Sequence, residues 1–334
     1  MADKMLEVKE LKMYFQTKKG YVKAIDGVNF DVLKGETTGF VGESGCGKTS
    51  IGLTLLRILP DNAEIRGGEV LFKGGDLLGD DINEYVDLLK LSDTDARKIK
   101  WKGISMVFQA AMNALNPVYK VGDQIVEAIK FHEPDVTKEE SRERVAKLFE
   151  LVGMDPERME NYPHEFSGGM RQRAVIAMAL STHPKMIIMD EPTTALDVIV
   201  QDQIMNEIKK IQERLKMTMI YVSHDISVIA EVSKRMAVMY AGRIVEYADA
   251  VSVFKHPLHP YTKGLMASFP SIRGELKRLE GIPGEPPNLV DPPTGCRFHP
   301  RCPYAREICK KKEPKYREIS TNHWVACHAE AGGV

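Results

Sequence analysis

The segment Gly42-Glu-Ser-Gly-Cys-Gly47-Lys48-Thr49 restricts the fold of this chain more than any other. It has the pattern G-x-x-x-x-G-K-T, follows the unbroken apolar run from Thr37 to Val41, and precedes a helix carrying Leu53, Leu56 and Leu59. Glycines let successive backbone N–H groups curl around phosphate oxygens with no side chain in the way, and the helix N-terminus adds positive potential. Lys48 brings a point charge to the outer phosphates, and the Thr49 hydroxyl is a ligand for Mg²⁺. The expected phosphate cradle is Gly42, Glu43, Ser44, Gly45, Cys46, Gly47, Lys48, Thr49 and Ser50. Cys46 stands at a variable position of the loop, where only its small size is needed.

A second apolar run, Met186-Ile-Ile-Met-Asp190-Glu191, ends in two carboxylates. A buried strand ending in Asp190 presents that carboxylate to Mg²⁺ at the C-terminal edge of the sheet, where ligands of open α/β sheets collect. Glu191, one position further, is placed to orient and deprotonate an attacking water.

The pattern between these motifs is that of a parallel sheet covered on both faces. Leu6, Val8 and Leu11 suggest one strand, Val28 and Phe30 a second, and Ile104 to Phe108 and Met219 to Val222 are compact buried strands. Ile204, Ile208, Ile211 and Leu215 mark an amphipathic helix between two of them. Thr137 followed by Glu140 is a capping box that opens a helix with Val145, Leu148, Phe149 and Val152 on one face, and Gly153 stops it. In the polar insertion from Gly79 to Lys100, Tyr85, Leu88 and Leu89 fit the face of a short helix. Beyond about residue 255 prolines crowd the chain, Pro257 and Pro270 to Pro314 among them, and periodicity fades. Dense proline blocks helix interiors and central strands, so this segment needs another source of order.

Composition excludes several classes. The 334 residues carry 46 Lys+Arg against 47 Asp+Glu, and this balance argues against a protein that neutralises many nucleic-acid phosphates. No run of about 18 apolar residues occurs, and the charged N-terminus lacks a secretion signal, so a cytosolic chain is expected. Of five cysteines, Cys296, Cys302, Cys309 and Cys327 fall in the proline-rich tail. In a reducing compartment such a group more often binds metal than forms disulfides.

Phosphate loop and acidic strand fit kinases, GTPases, helicases and motors alike. The discrimination comes from Phe166-Ser167-Gly168-Gly169-Met170, where Ser167 caps an apolar helix and the glycines leave its first N–H groups open to an anion. With this segment in place the chain resembles the ATP-binding-cassette ATPases. The Walker A loop, the Ser-Gly-Gly signature, Walker B, Glu191, a glutamine after a strand (Gln109), the Ala195-Leu196-Asp197 turn and a histidine after a strand (His224) stand in the family's order. The resemblance implies a P-loop NTPase of the cassette type: a RecA-like α/β core with an N-terminal antiparallel β subdomain and an inserted helical subdomain at about 110–180. A head-to-tail dimer is also implied, each ATP lying between one subunit's Walker A and its partner's signature. Ser167, Gly168, Gly169 and Met170 would then face the partner's ATP, Gln109 would sense Mg²⁺ and the attacking water, His224 would contact the γ-phosphate, and Asp197 would couple the two sites. The signature departs from the commonest form in carrying Met170 where glutamine is usual. Phe15, with Tyr14 adjacent, is the aromatic expected to stack on adenine.

Residues 108–118, 162–169, 256–263, 281–288 and 295–302 are further similar to the ATPases of di- and oligopeptide importers. That branch implies a cassette domain over residues 1–255 and a small Cys/Pro-rich C-terminal domain over 256–334. It also implies a second, usually paralogous ATPase, two membrane permeases on whose cytoplasmic face the pair sits, and an external peptide-binding protein. The segment after Gln109, with the helices to about 165, would receive the permeases' coupling helices. The tail spacing C-x₅-C-x₆-C-x₁₇-C matches neither zinc knuckles nor the tight ferredoxin run. The branch implies a [4Fe–4S] cluster on Cys296, Cys302, Cys309 and Cys327, with zinc as the alternative. The rival function is a non-transport cassette acting on nucleic acid or ribosomes. Such proteins usually bring a second cassette, a long coiled coil or a basic insertion, and this chain has none of them.

Overall fold

Alternating burial along the first thirty residues produces a long hairpin, β1 (Lys4–Thr17) and β2 (Gly20–Leu33), whose Leu6, Val8, Leu11, Met13, Ile25 and Val28 all face one core. The computed structural model describes residues 3–81, 84–109, 111–194, 196–268 and 281–329; Ala110, Ala195 and Pro270 lie outside them. The apolar run before the phosphate loop is β3 (Thr37–Val41), buried at every position, and α1 (Lys48–Leu55) follows the loop directly. Next come β4 (Ala63–Lys73), β5 (Tyr85–Asp87), α2 (Asp93–Ile99) and β6 (Ile104–Val107). The strands β2-β1-β4-β5 form an antiparallel sheet in that order.

The segment around Tyr85 departs from the helix its spacing suggests. Residues 85–87 pair with Leu71–Lys73 as an edge strand, Val86 and Leu88 point inward, and the helix begins only at Asp93, capped by the Ser92 side chain. The open edge of β4 supplies backbone partners that outweigh the propensity of so short a run.

Three helices, α3 (Val121–His132), α4 (Lys138–Leu151) and α5 (Gly168–Leu180), pack together between β6 and β7 (Met186–Asp190) as the inserted helical unit. The expected capping box is present, with Thr137 Oγ1 accepting from the Glu140 N–H (3.2 Å) and Glu140 Oε2 accepting from the Thr137 N–H (2.8 Å). The chain continues through α6 (Val198–Leu215), β8 (Thr218–Val222), α7 (Ile226–Val232), β9 (Arg235–Tyr240) and β10 (Arg243–Asp249). Then come α8 (Ala250–Lys255), α9 (Pro260–Ala267), α10 (Glu307–Lys311), β11 (Arg317–Ser320) and β12 (His323–Val325).

The large sheet has the order β11-β12-β10-β9-β3-β8-β7-β6, with β9-β3-β8-β7-β6 parallel. Fully burying each Ile, Val or Met of β7 and β8 contributes roughly 1.5–3 kcal/mol, so the site stands on a fully buried layer. The tail is continuous with this sheet: β12 pairs with β10 and β11 with β12. Two buried arginines add to that attachment, Arg297 bonded to Asp26 and Arg301 to Glu43.

Candidate nucleotide site

Register alone brings the chemical groups together. Asp190 ends β7 opposite Val222 at the end of β8, Val107 at the end of β6 lies opposite Met189, and Val41 ends β3 in the same parallel array. Each strand therefore delivers its next residues to one edge: the loop 42–49 from β3, Gln109 from β6, Glu191 from β7 and His224 from β8. Gly42 and Gly47 have φ of 154° and 107°, and a Cβ on either would fall 2.1 Å from a carbonyl oxygen, that of Met239 or of Ala24. These glycines are required by packing. Lys48 Nζ donates to the Gly42 (2.7 Å) and Glu43 (3.1 Å) carbonyls beneath the loop. Cys46 is buried, and burial pushes its thiol upward in pKa, which fits its reading as a small packing residue.

Asp190 is 1% exposed. Its Oδ1 accepts from the Thr49 hydroxyl at 3.1 Å, while Oδ2 is buried without a hydrogen-bond partner. Burial pushes this carboxyl up to about 6, against the opposing pull of the Thr49 bond. An orphaned carboxylate oxygen beside a hydroxyl is the donor set of a hard cation, so these residues fit Mg²⁺.

Glu191 is the hub of the edge. Its Oε2 accepts from Gln109 Nε2 (3.1 Å) and Thr194 Oγ1 (3.0 Å), and its Oε1 lies 3.1 Å from His224 Nδ1. The residue sits at φ 44°, in the left-handed region a glutamate rarely adopts, and its N–H is fixed to the Val222 carbonyl at 2.9 Å. Thr194 was not legible beforehand as a site residue; its spacing of three from Glu191 in a turn is the signal that could have shown it.

The signature lies on a separate patch. Ser167 is exposed and caps α5, its Oγ accepting from the Met170 N–H at 3.3 Å. A Cβ on Gly169 would fall 2.6 Å from Val200 Cγ1, so the glycine permits α5 to start against α6. Asp197 caps α6 through the Val200 N–H (3.0 Å), and the next residues, Val198 and Ile199, are 80% and 72% exposed. Among the described residues no hydrogen bond joins residues 167–170 to residues 42–49.

Comparison with known proteins gives the family. A family described as ABC transporter matches residues 25–194. The chain belongs to the ABC transporter family. It is an ATPase of the cassette fold. A second family, the C-terminal region of oligopeptide/dipeptide transporters, matches residues 245–309 of the same cassette protein. The dipeptide transport ATP-binding protein DppD of Caldanaerobacter subterraneus is 41% identical over 97% of this chain and 96% of its own. The oligopeptide transport ATP-binding protein OppD of Bacillus subtilis is 45% identical over 96% of this chain and 88% of its own. A solved dimer of the cassette MJ0796, in a post-hydrolysis state bound to ADP and Pi, is similar at 25% identity and a TM-score of 0.63, over 74% of this chain and 99% of that one. Among the described residues of this cassette no helix is long and apolar enough to cross a membrane.

In this ABC ATPase the remaining expected residues lie as follows. Phe15 is partly buried on β1, between Val22 and Ala63 of the neighbouring strands, while the Tyr14 hydroxyl is committed to Asp26 at 2.6 Å. Met170 is half-buried and packs on the core. Glu43, expected among the nucleotide contacts, has its carboxylate bound by Arg301 and its N–H donated to the Tyr261 hydroxyl at 2.9 Å.

Cys296, Cys302, Cys309 and Cys327 are free thiols around one cavity of about 310 Å³, which His299 and His328 also border. Burial, with the neighbouring cysteines adding to it, pushes Cys296 up to about 11. Among the described residues no three His, Cys, Asp or Glu side chains converge closely enough to hold a metal ion. His323 is buried with Nε2 2.7 Å from Glu246 Oε1.

Proposed function

We propose that this chain is the ATP-hydrolysing subunit of an importer of di- and oligopeptides, seated on the cytoplasmic face of the membrane beneath two permeases. It would pair with a second ATPase, a paralogue, and be fed by an external peptide-binding protein. The observation that carries this reading is the match of the tail, residues 245–309, to the C-terminal region of oligopeptide/dipeptide transporters, joined to near full-length identity with DppD and OppD proteins.

In this reading the loop 42–50 and Lys48 hold the triphosphate, and Phe15 stacks on adenine. Thr49, Asp190 and Gln109 would hold Mg²⁺, which when bound neutralises charge on the β- and γ-phosphates. Glu191 takes the proton of the attacking water. Gln109, Thr194 and His224 each reach its carboxylate and so fix its orientation before ATP arrives. Ser167, Gly168 and Gly169 of one subunit complete the partner's site, and the exposed Val198 and Ile199 beside Asp197 provide apolar surface for that contact. Met170, packed on the core, serves the patch as support. Closure on ATP and reopening after hydrolysis would move the permeases through the surface after Gln109.

For the tail we propose a [4Fe–4S] cluster on Cys296, Cys302, Cys309 and Cys327, serving as a structural staple. Four thiols bordering one cavity support it. Zinc on the same four thiols is the alternative.

The test is reconstitution with the neighbouring permeases in liposomes. ATP hydrolysis should rise, and labelled peptide accumulate, only with peptide-loaded binding protein. Stimulation by DNA, RNA or ribosomes in place of peptide would overturn the assignment.

A further inference from the structure

The geometry points to Arg301 as a positioning residue for the phosphate loop. Its guanidinium, in the C-terminal tail, neutralises Glu43 and fixes that carboxylate away from bound triphosphate. This inference goes beyond the reading above and rests only on the loop binding ATP.

Glu43 is the second residue of the phosphate loop, and its carbonyl is in contact with Lys48, the cation assigned to the outer phosphates. A carboxylate at this position opposes the function of the loop, because it adds negative charge beside the triphosphate. The structure resolves the conflict from 258 residues away: Arg301 Nη1 donates to Glu43 Oε2 (2.7 Å) and Nη2 to Oε1 (2.9 Å), a two-pronged pair. The Arg301 side chain is 6% exposed. It also donates from Nε to the Pro283 carbonyl (2.8 Å) and from Nη1 to the Tyr240 hydroxyl (3.3 Å). Tyr261 takes the Glu43 N–H, and Tyr240, Tyr261 and Phe298 pack as a ring cluster behind the pair. Glu43 is thus held at its carboxylate and at its backbone, and the N–H groups left for phosphate begin at Ser44. A lone surface salt bridge carries little energy, but this fork has a buried guanidinium, is bidentate and is anchored on backbone carbonyls, so it sets a position.

The experiment measures binding of a non-hydrolysable ATP analogue with Mg²⁺ to the full-length chain. Arg301→Gln keeps a donor for the Pro283 carbonyl but removes the charge. Affinity should fall about tenfold at low salt, the effect of one unneutralised charge near the phosphates. Glu43→Gln added to Arg301→Gln should restore affinity to within about threefold of wild type, and high salt should shrink the single variant's deficit. If Arg301→Gln does not fold, Arg301→Lys serves instead, with a smaller loss that Glu43→Gln again relieves. Wild-type affinity in the single variant, no relief in the double variant, or a deficit indifferent to salt would each overturn the assignment. Failure of the wild-type chain itself to bind the analogue would instead count against the ATP site.

Discussion

The Thr49 hydroxyl donates to Asp190 Oδ1 across 3.1 Å, tying the first turn after the phosphate loop to the end of β7. Two residues 141 positions apart thereby share one oxygen-rich point, and the second Asp190 oxygen remains buried and unbonded.

That unbonded charge has a cost in the nucleotide-free protein. Because the folded carboxyl titrates near 6 and the unfolded one near 3.8, its contribution to stability is fully present below pH 3.8 and is lost as pH rises through 6. Asp190→Asn removes the charge, so the nucleotide-free variant should be more stable than wild type at pH 7.5 by up to about 3 kcal/mol. The same variant should lose the Mg²⁺-dependent part of ATP binding. Urea unfolding and nucleotide titration with and without Mg²⁺ check both halves.

Glu191→Gln should retain ATP binding, lower turnover by about 10²–10⁴-fold, and accumulate a closed dimer on size-exclusion chromatography with ATP. Adding Ser167→Arg places a bulky cation where the partner's nucleotide should seat, and should dissolve that dimer while leaving ATP binding to the monomer. Persistence of the dimer in the double variant would remove residues 167–169 from the partner's site.

His259 caps α9, its Nδ1 accepting from the Tyr261 N–H at 3.0 Å, and only the neutral ring can accept there. Burial holds its pKa down to about 4, so the stability it provides is present above 6.5 and is lost as pH falls through 4. Across that window the loss is about 3 kcal/mol. His259→Asn keeps a capping acceptor without titrating, and unfolding curves should show a shallower decline from pH 6.5 to 4 than wild type.

Anaerobic purification should give brown protein with about four iron and four sulfide per chain. Cys302→Ser combined with Cys309→Ser should bleach it and lower the melting temperature. Colourless protein carrying one zinc per chain would replace the cluster assignment.

The nucleotide edge was legible because its motifs are local: a glycine run needs particular backbone angles, a buried strand must be apolar, and Ser167 and Thr137 announce helix starts within three residues. What escaped the sequence is non-local or is decided by competition. Residues 85–87 carry a helix-compatible spacing, yet the free edge of β4 claims them as a strand. The hub at Glu191 gathers Gln109, Thr194 and His224 from three separate connections, and only the strand register brings them together. Proline density suggested a tail without regular partners, whereas β12 extends the central sheet and buries His323 against Glu246. Nothing near Glu43 in sequence forecasts its partnership with Arg301.

The pairing of Asp26 with Arg297 has a consequence for biosynthesis. A ribosome releases the acid 271 residues before the more deeply buried of its two arginine partners. Until then Asp26 has the Tyr14 hydroxyl and Arg243 as partners but lacks the buried guanidinium that closes the tail over it. Nascent or proteolytically clipped chains ending before residue 297 therefore lack the clasp between β2 and the tail, and should be digested faster than the full chain.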